Sequence, residues 1–312
     1  MHNPTILFMG TPDFAASLLQ AILKEGYSVL AVVSQPDRPT GRKKQVLPTP
    51  VKKIAIDHQI KVYQPLRIRK EFDFVKELQP DIILTCAYGQ ILPPELLALP
   101  KIGCYNIHAS LLPKLRGGAP IQRAIMQGEI RTGITIMEMV EKMDAGKMFM
   151  QESIPIDDND TTESLSIKLQ ELAKKLLLSW LPLLINDKVV GIEQDDRMVT
   201  YAPNISRAEE QIDWSQSAHQ IHNLVRALAP TPGAYSWLFN EIFKIGQTKV
   251  ISQERKQAPG TIVQLEPEFL VACGEEILQL ITVQPAGKRM MTAREYLRGS
   301  KALKTGDIFT HK

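Results

Sequence analysis

Asn106 and His108 stand two apart in the run Cys104-Tyr-Asn-Ile-His108, whose apolar character reads as a strand. Side chains alternate across a strand, so the amide and the imidazole point to one side. An amide and an imidazole converging at a strand's carboxyl end can polarise a carbonyl and stabilise the oxyanion of a tetrahedral intermediate. A lone strand histidine is more often a satisfied structural residue, and the pair by itself leaves both readings open. A second piece is Met143-Asp-Ala-Gly146, after a strand at Ile134–Met139. Asp144 could orient His108 or a water and take part in proton transfer. Taken alone, Asp-Ala-Gly is a turn. Between the two pieces lie Ser110-Leu-Leu-Pro113 and Arg116-Gly-Gly-Ala-Pro-Ile-Gln122.

The elements that must position these groups alternate along the first half of the chain. Thr5–Met9 is a short apolar run ending at Gly10; Phe14, Leu18, Leu19, Ile22 and Leu23 follow at helical spacing, and Gly26 stops the helix. Val29–Val33 is a second strand, 72–78 a short helix, and Asp81–Cys86 a third strand. Cys104–His108 and Gly133–Met137 flank a helix near Pro120–Met126. Near-continuous apolar strands alternating with helices predict a Rossmann-like, mostly parallel sheet with helices on both faces. Its site is expected beyond the carboxyl ends of the strands. Gly10-Thr-Pro-Asp-Phe14 sits where a dinucleotide fingerprint would sit but lacks the second and third glycines. A nicotinamide site is therefore rejected, and a Gly-Thr-Pro turn capping the next helix is expected instead.

A long amphipathic helix is expected over Thr162–Leu178, and irregular sequence around 187–206 marks a domain boundary. Residues 1–190 are read as the catalytic domain, 191–206 as a linker and 207–312 as a second domain. After a short helix at Ser217–Leu228, strands are expected at Tyr235–Phe239, Ile242–Ile245, Thr261–Val263, Phe269–Ala272 and Ile277–Val283. Asn240, Gly246, Pro259-Gly260 and Gly274 separate them. That count suits a small C-terminal OB-like β-barrel.

A chain of 312 residues with 44% hydrophobic and 23% charged residues is long enough for two cored domains and ordinary for a globular protein. The longest apolar run, Leu176–Ile185, is too short to span a bilayer and contains Trp180 and Pro182. A strand beginning at Thr5 leaves no room for a signal or transit peptide. Three scattered cysteines, Cys86, Cys104 and Cys273, suggest a reducing, cytoplasmic setting and form no zinc pattern, so no metal is expected. The net charge of +3 is too small to mark a nucleic-acid binder by itself, but the positive charge is clustered. Arg38, Arg42, Lys43, Lys44, Lys52 and Lys53 fall in one stretch, and Lys288, Arg289, Arg294, Arg298, Lys301 and Lys304 in another. Two such clusters could bracket a polyanion, although either alone reads as a solvated face.

Together, Asn106, His108, Asp144 and the Ser110–Pro113 loop resemble the folate-dependent formyltransferase family. The likeness extends to Gly10–Ala15, Gln35–Arg42, Pro50–Lys52, Ala87–Pro93, Gly118–Arg123, Ile212–Trp214 and Gln284–Lys288, and thus to nearly the whole chain. It goes furthest toward the members that formylate initiator methionyl-tRNA. The resemblance implies transfer of formyl from 10-formyltetrahydrofolate, with Asn106, His108 and Asp144 as the catalytic set and no metal. It implies a pterin site at Ala87, Tyr88, Gly89, Gln90, Ile91 and Leu92 and at Ser110, Leu111, Leu112 and Pro113, with a cis bond at Leu112–Pro113. It further implies that a basic loop, Gln35–Pro50, meets the tRNA through Arg38, Arg42, Lys43 and Lys44, Arg42 foremost. The C-terminal barrel would hold the tRNA through Lys288, Arg289, Arg294 and Arg298. A monomer is expected. The alternatives are a family member acting on a small amine, and a tRNA-binding module without catalysis. The C-terminal barrel and basic loop speak against the first, and the intact catalytic set against the second.

Overall fold

The computed structural model describes residues 4–40, 45–254, 256–300 and 302–311. Its elements, in chain order, begin with β1 (Thr5–Gly10), α1 (Asp13–Lys24), β2 (Ser28–Val33), β3 (Arg38–Thr40), β4 (Gln45–Leu47), α2 (Pro50–Asp57) and β5 (Lys61–Tyr63). Next come α3 (Asp73–Leu78), β6 (Ile82–Cys86), α4 (Pro94–Leu97), β7 (Gly103–His108), α5 (Pro120–Met126), β8 (Arg131–Glu138), β9 (Met148–Pro155) and α6 (Thr162–Ile185). The rest are α7 (Ala218–Leu228), β10 (Ala234–Leu238), β11 (Glu241–Ile251), β12 (Ile262–Gln264), β13 (Phe269–Ala272), β14 (Ile277–Pro285), β15 (Met291–Thr292) and α8 (Ala293–Gly299).

The chain divides into two compact units. The first takes the residues up to Pro120 with Arg131–Ile154 and Ser166–Pro203; the second takes Ile121–Ile130, Pro155–Leu165 and the residues from Asn204 onward. The first unit is built on a seven-stranded sheet of order β5-β2-β1-β6-β7-β8-β9. Strands β5, β2, β1, β6 and β7 run parallel, as their near-continuous apolar sequences predict, and β8 is antiparallel to β7. The sheet is therefore mixed at one edge. Strand order reverses between β1 and β6, so a crevice is expected there and along the carboxyl ends that follow.

The Gly-Thr-Pro turn starts α1 as expected, with Pro12 as the N-cap residue, but no side chain caps the helix. Thr11 instead donates to the Tyr88 carbonyl (3.3 Å) and accepts from the Gln35 amide (3.2 Å), tying together the loops after β6 and β2. Gly10 is required by contact: a Cβ there would lie 2.6 Å from that of Ala15 and 2.9 Å from the Cys86 carbonyl. The helix α6 runs on through Pro182 to Ile185. Pro182 removes one helical N–H, but the same turns bury Leu177, Trp180, Leu181 and Leu184. Trp180 packs edge-on against Tyr105 of β7, with centroids 4.9 Å apart, so the helix braces that strand.

The second unit is an antiparallel half-barrel of order β10-β11-β14-β13-β12, with β15 paired to β14. Gly246 does not separate two strands. It lies inside β11, where the register shifts between Ile245 and Gln247. Ser217 and Gln220 form a capping box that starts α7. The core joins Ile212, Trp214, Ile221, Val225, Phe243, Phe269 and Phe309. Trp214 donates to Ser236 Oγ at 3.0 Å and stacks on Phe309, so Ile212 and Trp214 of that motif are core, while Asp213 is exposed. The stretch read as a linker carries bridges Met148–Ile192 and Arg116–Tyr201, both within the first unit.

Candidate active site

Strand β7 carries Asn106 and His108 to one side at its carboxyl end. Asn106 lies opposite Thr85 of β6, whose hydroxyl donates to Asn106 Oδ1 at 2.8 Å. With the carbonyl oxygen engaged, the amide N–H groups are the face Asn106 offers to a ligand. His108 is buried, and its Nε2 lies 3.0 Å from the Leu115 carbonyl oxygen. A carbonyl only accepts, so Nε2 carries a proton and Nδ1 is the nitrogen at which a second proton is held or given up. Nδ1 faces Asp144 Oδ2 at 3.8 Å. That spacing is longer than a hydrogen bond and short enough for an ion pair when His108 is doubly protonated.

Asp144 reaches this position by an indirect route. Because β8 is antiparallel to β7, its last residue Glu138 lies opposite Tyr105, while His108 lies opposite Thr135. The chain leaving β8 has thus run about 10 Å past His108 at strand rise and must fold back. Asp144 sits in this return at φ +50°, a left-handed conformation costly for a non-glycine residue. Gly146 supplies the close approach that the return needs, since a Cβ there would lie 2.1 Å from the Glu138 carbonyl oxygen. The Gly117 amide donates to Asp144 Oδ2 at 2.8 Å. Gln194 Nε2 donates to the carbonyls of Asp144 (2.9 Å) and Gly146 (2.8 Å). Gln194 Oε1 in turn accepts from buried Arg116, at 3.0 Å from Nε and 2.7 Å from Nη2. Arg116 lies in the informative stretch beside Gly117 but carries no spacing that marks a role, and nothing in the residues around Gln194 points to it.

The two segments expected at a pterin differ in character. In 87–92, Ala87 and Gly89 have positive φ and are exposed, as is Ile91; Tyr88 and Leu92 are buried, and Gln90 is half-buried. Gln90 accepts from the Ile68 amide at 2.9 Å, and Gln35 donates to the Tyr88 carbonyl at 3.0 Å, which fixes the loop from below. Burial pushes the Tyr88 phenol well above its ordinary range, as does the nearby Glu71 carboxylate to a lesser degree. Within 110–113, Ser110 and Leu112 are buried, Leu111 and Pro113 half-buried, and the Leu112–Pro113 bond is cis. Their polar atoms are held inside the protein. Ser110 Oγ donates to the Lys114 carbonyl (2.7 Å), Thr135 Oγ1 to the Ser110 carbonyl (2.7 Å), and Gln151 Nε2 to the Leu112 carbonyl (3.0 Å).

The basic stretch after β2 is partly a hairpin, β3–β4, with Arg38, Val46 and Leu47 exposed. Arg42, Lys43 and Lys44 lie outside the described residues. Lys52 does not belong to a free cationic surface: it pairs with Asp37 at 2.5 Å and donates to Gln64 at 2.8 Å. Burial alone would raise the Asp37 carboxyl, but hydrogen bonds from Lys52, Gln64 and the Thr49 amide hold it below its ordinary value. In the second unit, Lys288 and Arg289 lie on the turn between β14 and β15, and Arg294 and Arg298 one turn apart on α8; all four are exposed. Glu295 is the capping-box partner of Thr292, and its pKa is lowered by those bonds and then by Arg289 and Arg298.

Burial pushes the Cys86 thiol up to about 12 and Cys104 further, so neither suits a nucleophile. Among the described residues, no group of three or more His, Cys, Asp or Glu could hold a metal, and no helix is long and apolar enough to cross a membrane.

Comparison with known proteins matches residues 3–181 to a formyl transferase family and residues 204–301 to its C-terminal domain. The methionyl-tRNA formyltransferase of Halalkalibacterium halodurans is 49% identical over 299 residues, 95% of this chain and 94% of that relative. The enzyme of the same name from Bacillus mycoides is 48% identical over 300 residues, 95% and 96%. The solved N-formyltransferase from Helicobacter canadensis, in complex with folinic acid and dTDP-3-aminofucose, superposes with a TM-score of 0.69 at 20% identity, covering 91% of this chain and 100% of that one. HypX from Aquifex aeolicus, in complex with tetrahydrofolic acid, gives a TM-score of 0.66 at 16% identity, covering 100% of this chain and 51% of that one. At those identities the two structures speak to the fold.

Proposed function

The chain belongs to the methionyl-tRNA formyltransferase family, and from that premise we propose a direct transfer carried by Asn106, His108 and Asp144. The enzyme moves the formyl group of 10-formyltetrahydrofolate to the amino group of methionine on initiator methionyl-tRNA, for initiation of translation. The folate supplies an activated formyl carbon to which the methionyl nitrogen adds and whose bond to N10 then breaks. The donor set suits it: an amide whose N–H groups face outward at the end of β7, beside the exposed residues 87, 89 and 91 that follow β6.

Asn106 donates from Nδ2 to the formyl oxygen as negative charge develops on it. His108, with Nε2 anchored on Leu115, stabilises the same charge through a proton on Nδ1. Asp144 holds that imidazolium and takes the proton released by the amine, which ends on N10. A free α-amino group has a pKa of about 7.7–8.0, so a neutral nucleophile is available near neutrality. The observation that carries this reading is the convergence of the three groups, with Asp144 Oδ2 turned to His108 Nδ1 at 3.8 Å. In the same reading, the pterin lies along 87–92 and 110–113. Arg38, Arg42, Lys43 and Lys44, with Lys288, Arg289, Arg294 and Arg298, meet the tRNA. The chain works as a cytoplasmic monomer, with residues 1–190, and the 191–203 stretch bridged to them, as the catalytic domain and 207–312 as the tRNA-holding domain. Purified protein, a formyl-folate donor and charged initiator tRNA, scored for formyl-methionine, test it. Formylation of a free small amine with equal efficiency would favour a small-molecule formyltransferase, and tRNA binding without product would favour a non-catalytic module.

A further inference from the structure

The return loop that delivers Asp144 has a problem of its own. It leaves the ladder with β7 at Tyr105 and carries Asp144 in a left-handed conformation. A carboxylate in such a position stays aimed only if other groups over-determine it. Gln194 does this from a distant part of the chain, with its two amide hydrogens on the carbonyls of Asp144 and Gly146, on either side of the turn. Its orientation is not free to flip, because Oε1 faces two N–H groups of Arg116. Arg116 is 1% exposed and sits between two residues that touch the reacting groups. Leu115 offers its carbonyl to His108 Nε2, and Gly117 donates its amide to Asp144 Oδ2. This three-residue segment is in turn paired to Thr200 and Ala202: Arg116 N to Thr200 O at 2.9 Å, and Ala202 N to Arg116 O at 2.7 Å. The Thr200 hydroxyl accepts from the Leu115 amide at 2.9 Å.

We propose that Gln194 is a positioning residue for Asp144, with Arg116 as the group that orients it, so that residues 194–202 are working parts of the active site. This rests on the reading of Asp144 as catalytic. Loss of the Gln194 donors lets the return loop relax, and a displacement of about 1 Å at a reacting group costs on the order of 10²-fold in rate. Gln194→Ala is expected to lower kcat roughly 10- to 100-fold, with the KM for folate and for charged tRNA within about two-fold of the unmodified enzyme. Gln194→Glu separates positioning from packing. It still accepts from Arg116, so the buried guanidinium keeps its partner, but it turns an acceptor toward the Asp144 and Gly146 carbonyls. It is expected to fold, to bind folate normally, and to be at least as slow as Gln194→Ala. Because Gln194 acts through Asp144, the double variant Gln194→Ala/Asp144→Asn is expected to be no slower than Asp144→Asn alone. Two results overturn the proposal while leaving Asp144 catalytic: Gln194→Glu within about two-fold of full turnover while Asp144→Asn is slow, or losses that multiply in the double variant. An Asp144→Asn enzyme with full turnover would instead overturn the underlying reading of Asp144.

Discussion

Replacing Asn106 by Asp changes one N–H₂ group to an oxygen and leaves the shape of the side chain intact. The contact with Thr85 survives, because an Asp oxygen accepts from that hydroxyl as the amide oxygen does at 2.8 Å. What changes is the other face, where a donor becomes an acceptor, directed at the position of the developing oxyanion. Removing one oxyanion donor costs about 10²–10³ in kcat, or about 2.7–4 kcal/mol, and an opposing charge adds to that loss. A fall in kcat of about 10³-fold or more is therefore expected, with folate affinity and melting temperature little changed. Thr85→Val is the companion: the donor remains and only its aim is lost, so a loss on the order of 10-fold is expected. Steady-state formylation of charged initiator tRNA, with folate binding measured separately, provides the assay. Turnover of Asn106→Asp within about ten-fold of the unmodified enzyme would refute the assignment of the amide as the oxyanion donor.

His108→Ala is expected to lower kcat by roughly 100-fold or more while leaving tRNA binding nearly intact, and near-normal turnover would remove the imidazole from the chemistry. Arg42→Ala is expected to weaken use of charged tRNA far more than folate binding, and to reduce the salt dependence of tRNA binding by about 0.7–0.9 in log–log slope if one phosphate contact is lost. A pH titration of stability tests the second unit. Burial holds the His222 imidazole below its ordinary pKa, aided by Arg226 and His219 and opposed by the Asp158 carbonyl it touches at 3.2 Å and by the Asp158 charge. A histidine with a lowered folded pKa favours its neutral form in the fold, so the unfolded chain binds more protons as pH drops. Stability from this group is complete above the unfolded value of about 6.5 and is lost as pH falls through it toward the folded value. Asp81 and Glu209, held down to about 2, act only in the carboxylate range below that window. His222→Gln is expected to flatten the slope as pH falls through about 6.5, and an unchanged slope would exclude His222 as its source.

What the sequence made legible was local. The apolar runs of β1, β6 and β7 and the two-residue spacing of Asn106 and His108 are short-range patterns, and each appears as expected. The half-barrel was legible for the same reason, from strands bounded by turn residues. What was hidden depends on partners far along the chain. Gln194 serves Asp144 across 50 residues and Arg116 across 78, and no spacing rule links them. The cationic stretch looked free because Lys52's partner, Asp37, lies just outside it. Pro182 and Gly246 are local breakers overruled by tertiary packing: α6 gains buried Trp180 and Leu184, and β11 absorbs Gly246 at a register shift. The antiparallel run of β8, which obliges the 139–147 segment to fold back, has no signature in its own residues.

The fate of a labelled formyl group is the most direct measurement. A donor carrying isotope in the formyl carbon is mixed with the purified chain and charged initiator tRNA under single-turnover conditions. The label is expected on the methionyl nitrogen, one equivalent per tetrahydrofolate released, with no labelled protein at any time and with slow transfer by His108→Ala and Asn106→Asp. Label trapped on the protein, or left on the folate while both substrates are bound, would contradict direct transfer by Asn106, His108 and Asp144.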